Sequence, residues 1–259
     1  MNTPKIMGIL NLTPDSFSDG GQYLEPEKAQ ERIQKMIAQG ATIIDIGAES
    51  SGPNSTDVSE EEEWRRLAPI LQTHTQTANL SIDTYKAGIA DKALTLGAKY
   101  INDITAFRGD PAMAKTIAKH KATAIIMYSK DTSARTTIKD QEYEDIIQAI
   151  SDFFTERLQY AEEQGLNPDK IILDPGMGHF VSSIPKYSFE IIERLPELRA
   201  NFPKNKFLIG LSRKSFLGGE IAERDQRAKE PTQLAIRNGV SIIRAHDVKL
   251  TKKYWDELH

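Results

Sequence analysis

"KAQERIQKMIAQGATIIDIGAES", residues 28–50, contains the unit from which the rest of the chain is built. Ala29, Ile33, Met36 and Ile37 recur at helical spacing. The pattern stops at Gly40, a residue suited to a left-handed helix cap. The run 42–48 that follows is apolar without alternation, as expected of a strand covered on both faces. A helix leading directly into such a strand is half of a parallel α/β repeat.

Working outward, similar Ile-, Val- and Leu-rich runs occur at 5–12, 80–84, 100–104, 124–129, 170–174, 207–213 and 241–246. Helical patterns lie between them at 26–39, 59–72, 86–96, 111–120, 142–164 and 186–201, and Gly97 and Gly165 repeat the part of Gly40. Eight strands alternating with helices over roughly 250 residues predict an α/β protein, a single (β/α)8 TIM barrel occupying 1–259, rather than an open doubly wound sheet. The C-terminal helices are predicted to be short, because only the stretch 229–238 precedes the last strand and little chain follows Asp247.

Composition narrows the function. With 39% hydrophobic and 27% charged residues among 259, the chain can bury one large core. A net charge of −4 and a pI near 5.8 argue against nucleic acid as a partner. The absence of cysteine removes thiol nucleophiles, thiolate zinc sites and disulfides, and fits a reduced, cytoplasmic setting. No apolar run reaches the length of a membrane span, so no membrane association is expected.

In a barrel of this type the C-terminal strand ends form the reactive face. Here they carry Asn11, Glu49 with Ser51, Asp83, Asn102 with Asp103, Tyr128, Asp174, Ser212-Arg213-Lys214, and Arg244 with His246. Strand-terminal Asp and Asn also serve as turn formers and caps, but nearly every strand ending in a polar side chain points to a site. Asp83, Asp174 and Asn102 suit acid–base work, a metal, or the hydrogen-bonding edge of a flat heterocycle. Lys214, Arg244 and His246 supply donors for an anion. An acidic recognition side facing a basic anion side is therefore expected. The five histidines are scattered, and "DPGMG" at 174–178 lacks the third glycine of a dinucleotide fingerprint. The oxygen-rich stretch 11–19 suits magnesium better than zinc.

The segments "MGILNLTPDSFSDGG" (7–21), "IIDIGAES" (43–50), "SIDTYKA" (81–87), "INDI" (101–104), "IILDPGMG" (171–178), "IGLSRKSFLG" (209–218) and "IIRAHDV" (242–248) occur in this order. In sequence and spacing the chain resembles the dihydropteroate synthase family from residue 7 to about 248. The resemblance implies transfer of the dihydropterin of 6-hydroxymethyl-7,8-dihydropterin pyrophosphate to p-aminobenzoate, releasing pyrophosphate, in folate biosynthesis. By the same resemblance Asp83, Asn102, Asp174 and Lys214 bind pterin. Asn11, Arg244 and His246 match the pyrophosphate end, with Mg2+ held by Asn11 and Asp19, and Asp15 and Asp19 lie in a loop closing over the reacting centre. Ser51, Phe180 and Ser212 complete the substrate set, and a homodimer is implied. A non-catalytic pterin-binding paralogue and a pterin-dependent methyltransferase are the rival readings.

The chain departs from the family pattern at three places. Where the family has E-S-T-R-P-G, residues 49–54 read ESSGPN, so a threonine has become Ser51 and an arginine is missing. The sixth loop lacks the family lysine, is about two residues longer and carries Phe180. Tyr128 stands where a histidine is usual. These loops resemble those of the sulfonamide-insensitive branch, which predicts sulfonamide resistance with Phe180 as the excluding side chain.

Overall fold

The computed structural model of the chain describes residues 4–13, 26–53, 55–74 and 78–258. Eight parallel strands close into a barrel in chain order: β1 (Lys5–Asn11), β2 (Ile43–Gly47), β3 (Leu80–Asp83), β4 (Tyr100–Asp103), β5 (Thr123–Met127), β6 (Ile171–Asp174), β7 (Lys206–Ile209) and β8 (Ile242–Ala245). Closure is made by β8 pairing with β1, Lys5 opposite Ile242 and Gly8 opposite Ala245. The predicted TIM barrel is therefore the fold. All five residues of β2 are buried, in keeping with the unbroken apolar run that predicted it.

The outer ring begins with α1 (Pro26–Ala38), α2 (Glu60–His74), α3 (Ala87–Thr95), α4 (Met113–His120) and α5 (Ile146–Glu163). In α1 the buried positions are Ala29, Ile33 and Met36, one stripe against the barrel. Helix α5 starts later than its apolar pattern because Asp145 caps it, its Oδ1 accepting from the N–H groups of Ile147 at 2.8 Å and Gln148 at 3.1 Å. Gly8 sits where α1 and α10 (Val248–Asp256) press on β1: a Cβ there would stand 2.8 Å from Met36 Sδ and 3.1 Å from Val248 Cγ2.

Two boundaries differ from the sequence pattern. The helix expected over 186–201 is two helices, α6 (Pro185–Glu193) and α7 (Leu195–Asn201), because Pro196 has no N–H to continue the ladder. The strand expected over 207–213 ends at Ile209. Beyond Gly210 the chain turns, with Lys214 N–H bonded to Leu211 O at 3.2 Å and Arg213 at φ 60°. The C-terminal helices are short as expected, although α9 (Lys229–Arg237) is preceded by a further small helix, α8 (Ile221–Arg227). Among the described residues no helix is long and apolar enough to cross a membrane.

Candidate functional site

Alternation along each strand gives the barrel inward rows of side chains. Met7, Ile43, Ile125, Ile172, Leu208 and Ile242 meet in a closed apolar layer. One inward step toward the C-terminal ends, the rows change to Asp45, Asn102, Asp174 and Arg244, with Asp83 beside them in register with Gly47 and Asn102. An ionic layer thus rests on an apolar floor, where charges interact more strongly than in water.

Arg244 organises that layer. Its Nε donates to Asp45 Oδ2 at 2.6 Å and its Nη2 to Asp83 Oδ2 at 2.8 Å. Asp45 is fully buried; its Oδ2 also accepts from Asn102 Nδ2 at 3.0 Å, while its Oδ1 has no partner among the described residues. Burial raises the Asp83 carboxyl above its ordinary range, against the pull of Arg244. The expected separation into an acidic and a basic side is therefore incomplete. Arg244 reaches across from β8 to β2 and β3 and lies between two carboxylates, and an incoming anion must share it with them. Asp45 is not a strand-end residue, since it lies two residues before the end of β2. The signal was a lone carboxylate in the apolar run "IIDIG".

On the facing wall, Asp174 ends β6 nearly buried, its Oδ1 accepting from Gly176 N–H at 2.9 Å. Gly176 has φ +71°, and a Cβ there would collide with the Tyr128 carbonyl, so only glycine makes this turn. Burial pushes Asp174 up to about 6, with the Gly176 hydrogen bond and Lys214 opposing. Burial also lowers Lys214 to about 8, while Asp174 pulls it back. The Lys214 ammonium lies 4.5 Å from the centre of the Phe180 ring. Phe180 is half-buried and faces this cation rather than joining the core.

His246, the next inward residue after Arg244, forms a relay with Ser212 and Asp225. Ser212 Oγ donates to Asp225 Oδ1 at 2.7 Å, and His246 Nδ1 lies 3.1 Å from Ser212 Oγ. Since the serine's single proton goes to the carboxylate, Nδ1 carries the imidazole proton and Nε2 is left with a lone pair. Burial and the surrounding cations, Arg213 and Arg244 foremost, lower His246 to about 3, so the free imidazole is neutral. A bound polyanion would oppose those cations and raise the His246 value.

The remaining predicted residues have mixed placements. Asn11 ends β1 with its side chain exposed. Asp15 and Asp19 lie outside the described residues. Ser51 is half-buried, and its carbonyl accepts from Thr136 N–H at 3.3 Å. Glu49 is taken up in an ion network. It is bonded to Lys86 and Arg135, and Lys86 Nζ also reaches Glu63 at 2.6 Å. Arg135, from the loop after β5, further donates to the carbonyls of Ser55 at 3.0 Å and Thr56 at 2.8 Å. Loop 2, short of its arginine, is thus held by one from loop 5, which no pattern in loop 2 could disclose. Asp103 is buried and bonds Thr105 and Phe107, so it shapes a turn in which Ala106 and Phe107 have positive φ. Tyr128 is also structural, its hydroxyl 3.2 Å from that of Tyr143, which donates to Val181 O at 2.8 Å. Among the described residues no three His, Asp or Glu side chains gather as metal ligands.

Residues 7–246 match the family described as pterin binding enzyme. The chain is 36% identical over 251 residues to the dihydropteroate synthase type-3 of Escherichia coli, covering 95% of this chain and 94% of that one. It is 37% identical to the dihydropteroate synthase of Bacillus subtilis, with 94% and 84% covered. Among solved structures, the dihydropteroate synthase of Clostridium difficile in the presence of pteroic acid superposes with a TM-score of 0.88 at 38% identity, over 98% of this chain and 95% of that one. The Xanthomonas albilineans enzyme in complex with 7,8-dihydropteroate gives 0.83 at 30% identity, over 98% and 93%.

Proposed function

Because this chain belongs to the pterin-binding enzyme family, we propose that its barrel mouth is where 6-hydroxymethyl-7,8-dihydropterin pyrophosphate meets p-aminobenzoate. The activity is that of a dihydropteroate synthase, a transferase of folate synthesis. The observation that carries the assignment of roles is the convergence of Asp83, Asn102, Asp174 and Lys214 on one ionic layer that Arg244 ties together, with His246 at its edge. Asp174 and Asn102 accept and donate along the edge of the pterin, and Lys214 covers its face. Arg244 ties that half to the pyrophosphate end, where Asn11, Ser212 and His246 receive the leaving group.

As the carbon–oxygen bond to pyrophosphate breaks, negative charge grows on the leaving oxygen and positive charge on the pterin methylene. The residues need only stabilise both and keep water out. The amine of p-aminobenzoate then attacks the methylene and loses a proton. No protein nucleophile is required, in keeping with the absent cysteine. His246 stands at the leaving-group end, where a polyanion beside it would favour its charged form.

Magnesium is part of the same reading. A side-chain amide oxygen at Asn11, completed by pyrophosphate oxygens, is the hard-ligand environment that Mg2+ accepts, and the ion would neutralise charge on the leaving group. Asp19, and Asp15 in the same loop, are assigned to this end by sequence alone. A cytoplasmic homodimer belongs to the proposal too, to be checked by fractionation and sedimentation. Turnover is expected to yield dihydropteroate and pyrophosphate in equal amounts, and to stop on chelation and return with Mg2+. Tight pterin binding without turnover would leave the non-catalytic paralogue as the better reading, and methyl transfer from a methylated pterin would favour the methyltransferase.

Sulfonamide insensitivity is expected from Phe180. Loop 6 is pinned there by Lys130, whose Nζ donates to His179 O at 2.7 Å and whose N–H donates to Phe180 O at 2.9 Å. A ring held beside Lys214 narrows the space beyond the carboxylate of p-aminobenzoate, where a sulfonamide carries extra bulk. Phe180→Ala, or shortening 179–184, should restore inhibition by sulfonamides with little change in the KM for p-aminobenzoate. An unaltered inhibition constant in the variant, or wild-type inhibition as strong as in an ordinary family member, would refute this role.

A further inference from the structure

At the opposite end of the barrel, below the apolar layer, the same inward rows present Lys5, Tyr100, Thr123 and Lys206. They line a cavity of about 730 Å3 whose floor includes Ile43, Ile172 and Ile242. That size is within the usual span of small-molecule sites, roughly 300–1,000 Å3. Tyr100 is half-buried against the apolar layer, and burial raises its phenol pKa, so it offers a neutral ring and hydroxyl.

The rim is basic out of keeping with a chain of net charge −4. Lys5, Lys170, Arg199, Lys204, Lys206 and Arg237 surround the opening, and among the described residues Asp169 is its only carboxylate. Little of this charge is neutralised internally. Lys204 and Asp169 stand 3.9 Å apart and largely in solvent. Lys5, Lys206 and Arg237 form no ion pair among the described residues. Arg199 and Arg237 occupy the last turns of α7 and α9, where the helix dipole alone favours cations. The strand-start lysines 5 and 206 have no such reason to be there. Gly239, at φ +84°, makes room for the Arg199 guanidinium at the rim, since a Cβ there would collide with it.

We propose that this end of the barrel is a second binding site, for a small aromatic polyanion: a flat ring seated against Tyr100 and the isoleucine floor, with two or more phosphoryl charges on the cation ring. The intact apolar layer separates it from the reacting mouth, so the two sites should fill independently.

The test uses the full chain, titrated calorimetrically at low ionic strength with ATP, inorganic tripolyphosphate and adenosine, with and without saturating pterin pyrophosphate. ATP should bind equally in both cases and weaken as salt rises. Tripolyphosphate should bind about tenfold more weakly for want of the ring, and adenosine should give no signal. Lys5→Glu/Lys206→Glu should weaken ATP by about tenfold or more while dihydropteroate turnover and Tm stay unchanged; if that double variant folds poorly, Lys204→Glu on the exposed rim serves the same purpose. Tyr100→Leu should bring ATP down to the level of tripolyphosphate. The proposal fails if ATP does not bind, if pterin pyrophosphate displaces it, if ATP and tripolyphosphate bind alike, or if the charge reversals leave its affinity unchanged.

Discussion

Arg244→Met should abolish turnover and lower the unfolding free energy by about 3–5 kcal/mol, the usual consequence of leaving one member of a buried ion pair unpartnered. Asp45 is fully buried, and Arg244 Nε at 2.6 Å is the cation that compensates it. With the guanidinium gone, Asp45 retains, among the described residues, only the Asn102 amide at 3.0 Å. Methionine fills similar space, so loss of packing contributes little. Urea unfolding reads the stability and steady-state kinetics the activity. The second substitution Asp45→Asn should return most of the stability, because a neutral amide needs no counter-charge, yet should not return turnover. Equal recovery of both would mean that Arg244 acts only as a structural partner.

Asp174→Asn should reduce the affinity for pterin pyrophosphate by about 2–5 kcal/mol, because a buried carboxylate that accepts from the heterocycle is replaced by a half-donor. Lys214→Ala should cost a similar amount. Calorimetry measures both, and unchanged affinity would refute the pterin assignment. The wild-type pH profile carries an independent check. Asp174 must be ionised to accept, and with its pKa raised to about 6 the site is lost as pH falls through that value. Lys214 must be charged, and with its pKa lowered to about 8 its contribution fades as pH rises past that value. The profile of kcat/KM should be a bell with limbs near those two values. Asp174→Asn should remove the acid limb from whatever activity survives.

The barrel was legible because its strands are covered on both faces: "TIIDIGA" and its seven counterparts are apolar without alternation, and such runs announce themselves. Strand ends were legible for the same reason, since Asn11, Asp83, Asn102, Asp174 and Arg244 each interrupt or end an apolar run. What the pattern could not convey is pairing across the axis. Arg244 and Asp45 are separated by 199 positions, and nothing local to either says that one neutralises the other. Arg135 was hidden likewise, a residue of the fifth loop that acts on the second. Asp103 and Tyr128 show the opposite limit: polar residues at strand ends that serve turns and loop packing instead. Helix breaks at Pro196 were visible in principle, but the apolar stripe runs across them and masked the interruption.

The bond between β2 and β8 also sets the order in which the molecule can be made. A chain still lacking its last strand has Asp45 but no Arg244, and a carboxylate without its cation resists dehydration. Closing so long a loop is entropically slow, and contacts this distant in sequence form late. During synthesis the interior of the half-built barrel should therefore stay wet, and the substrate cradle should come into being only after β8 has emerged and paired with β1. Binding competence would then arrive in a single late event, and any product truncated before residue 244 should be unable to hold the pterin at all.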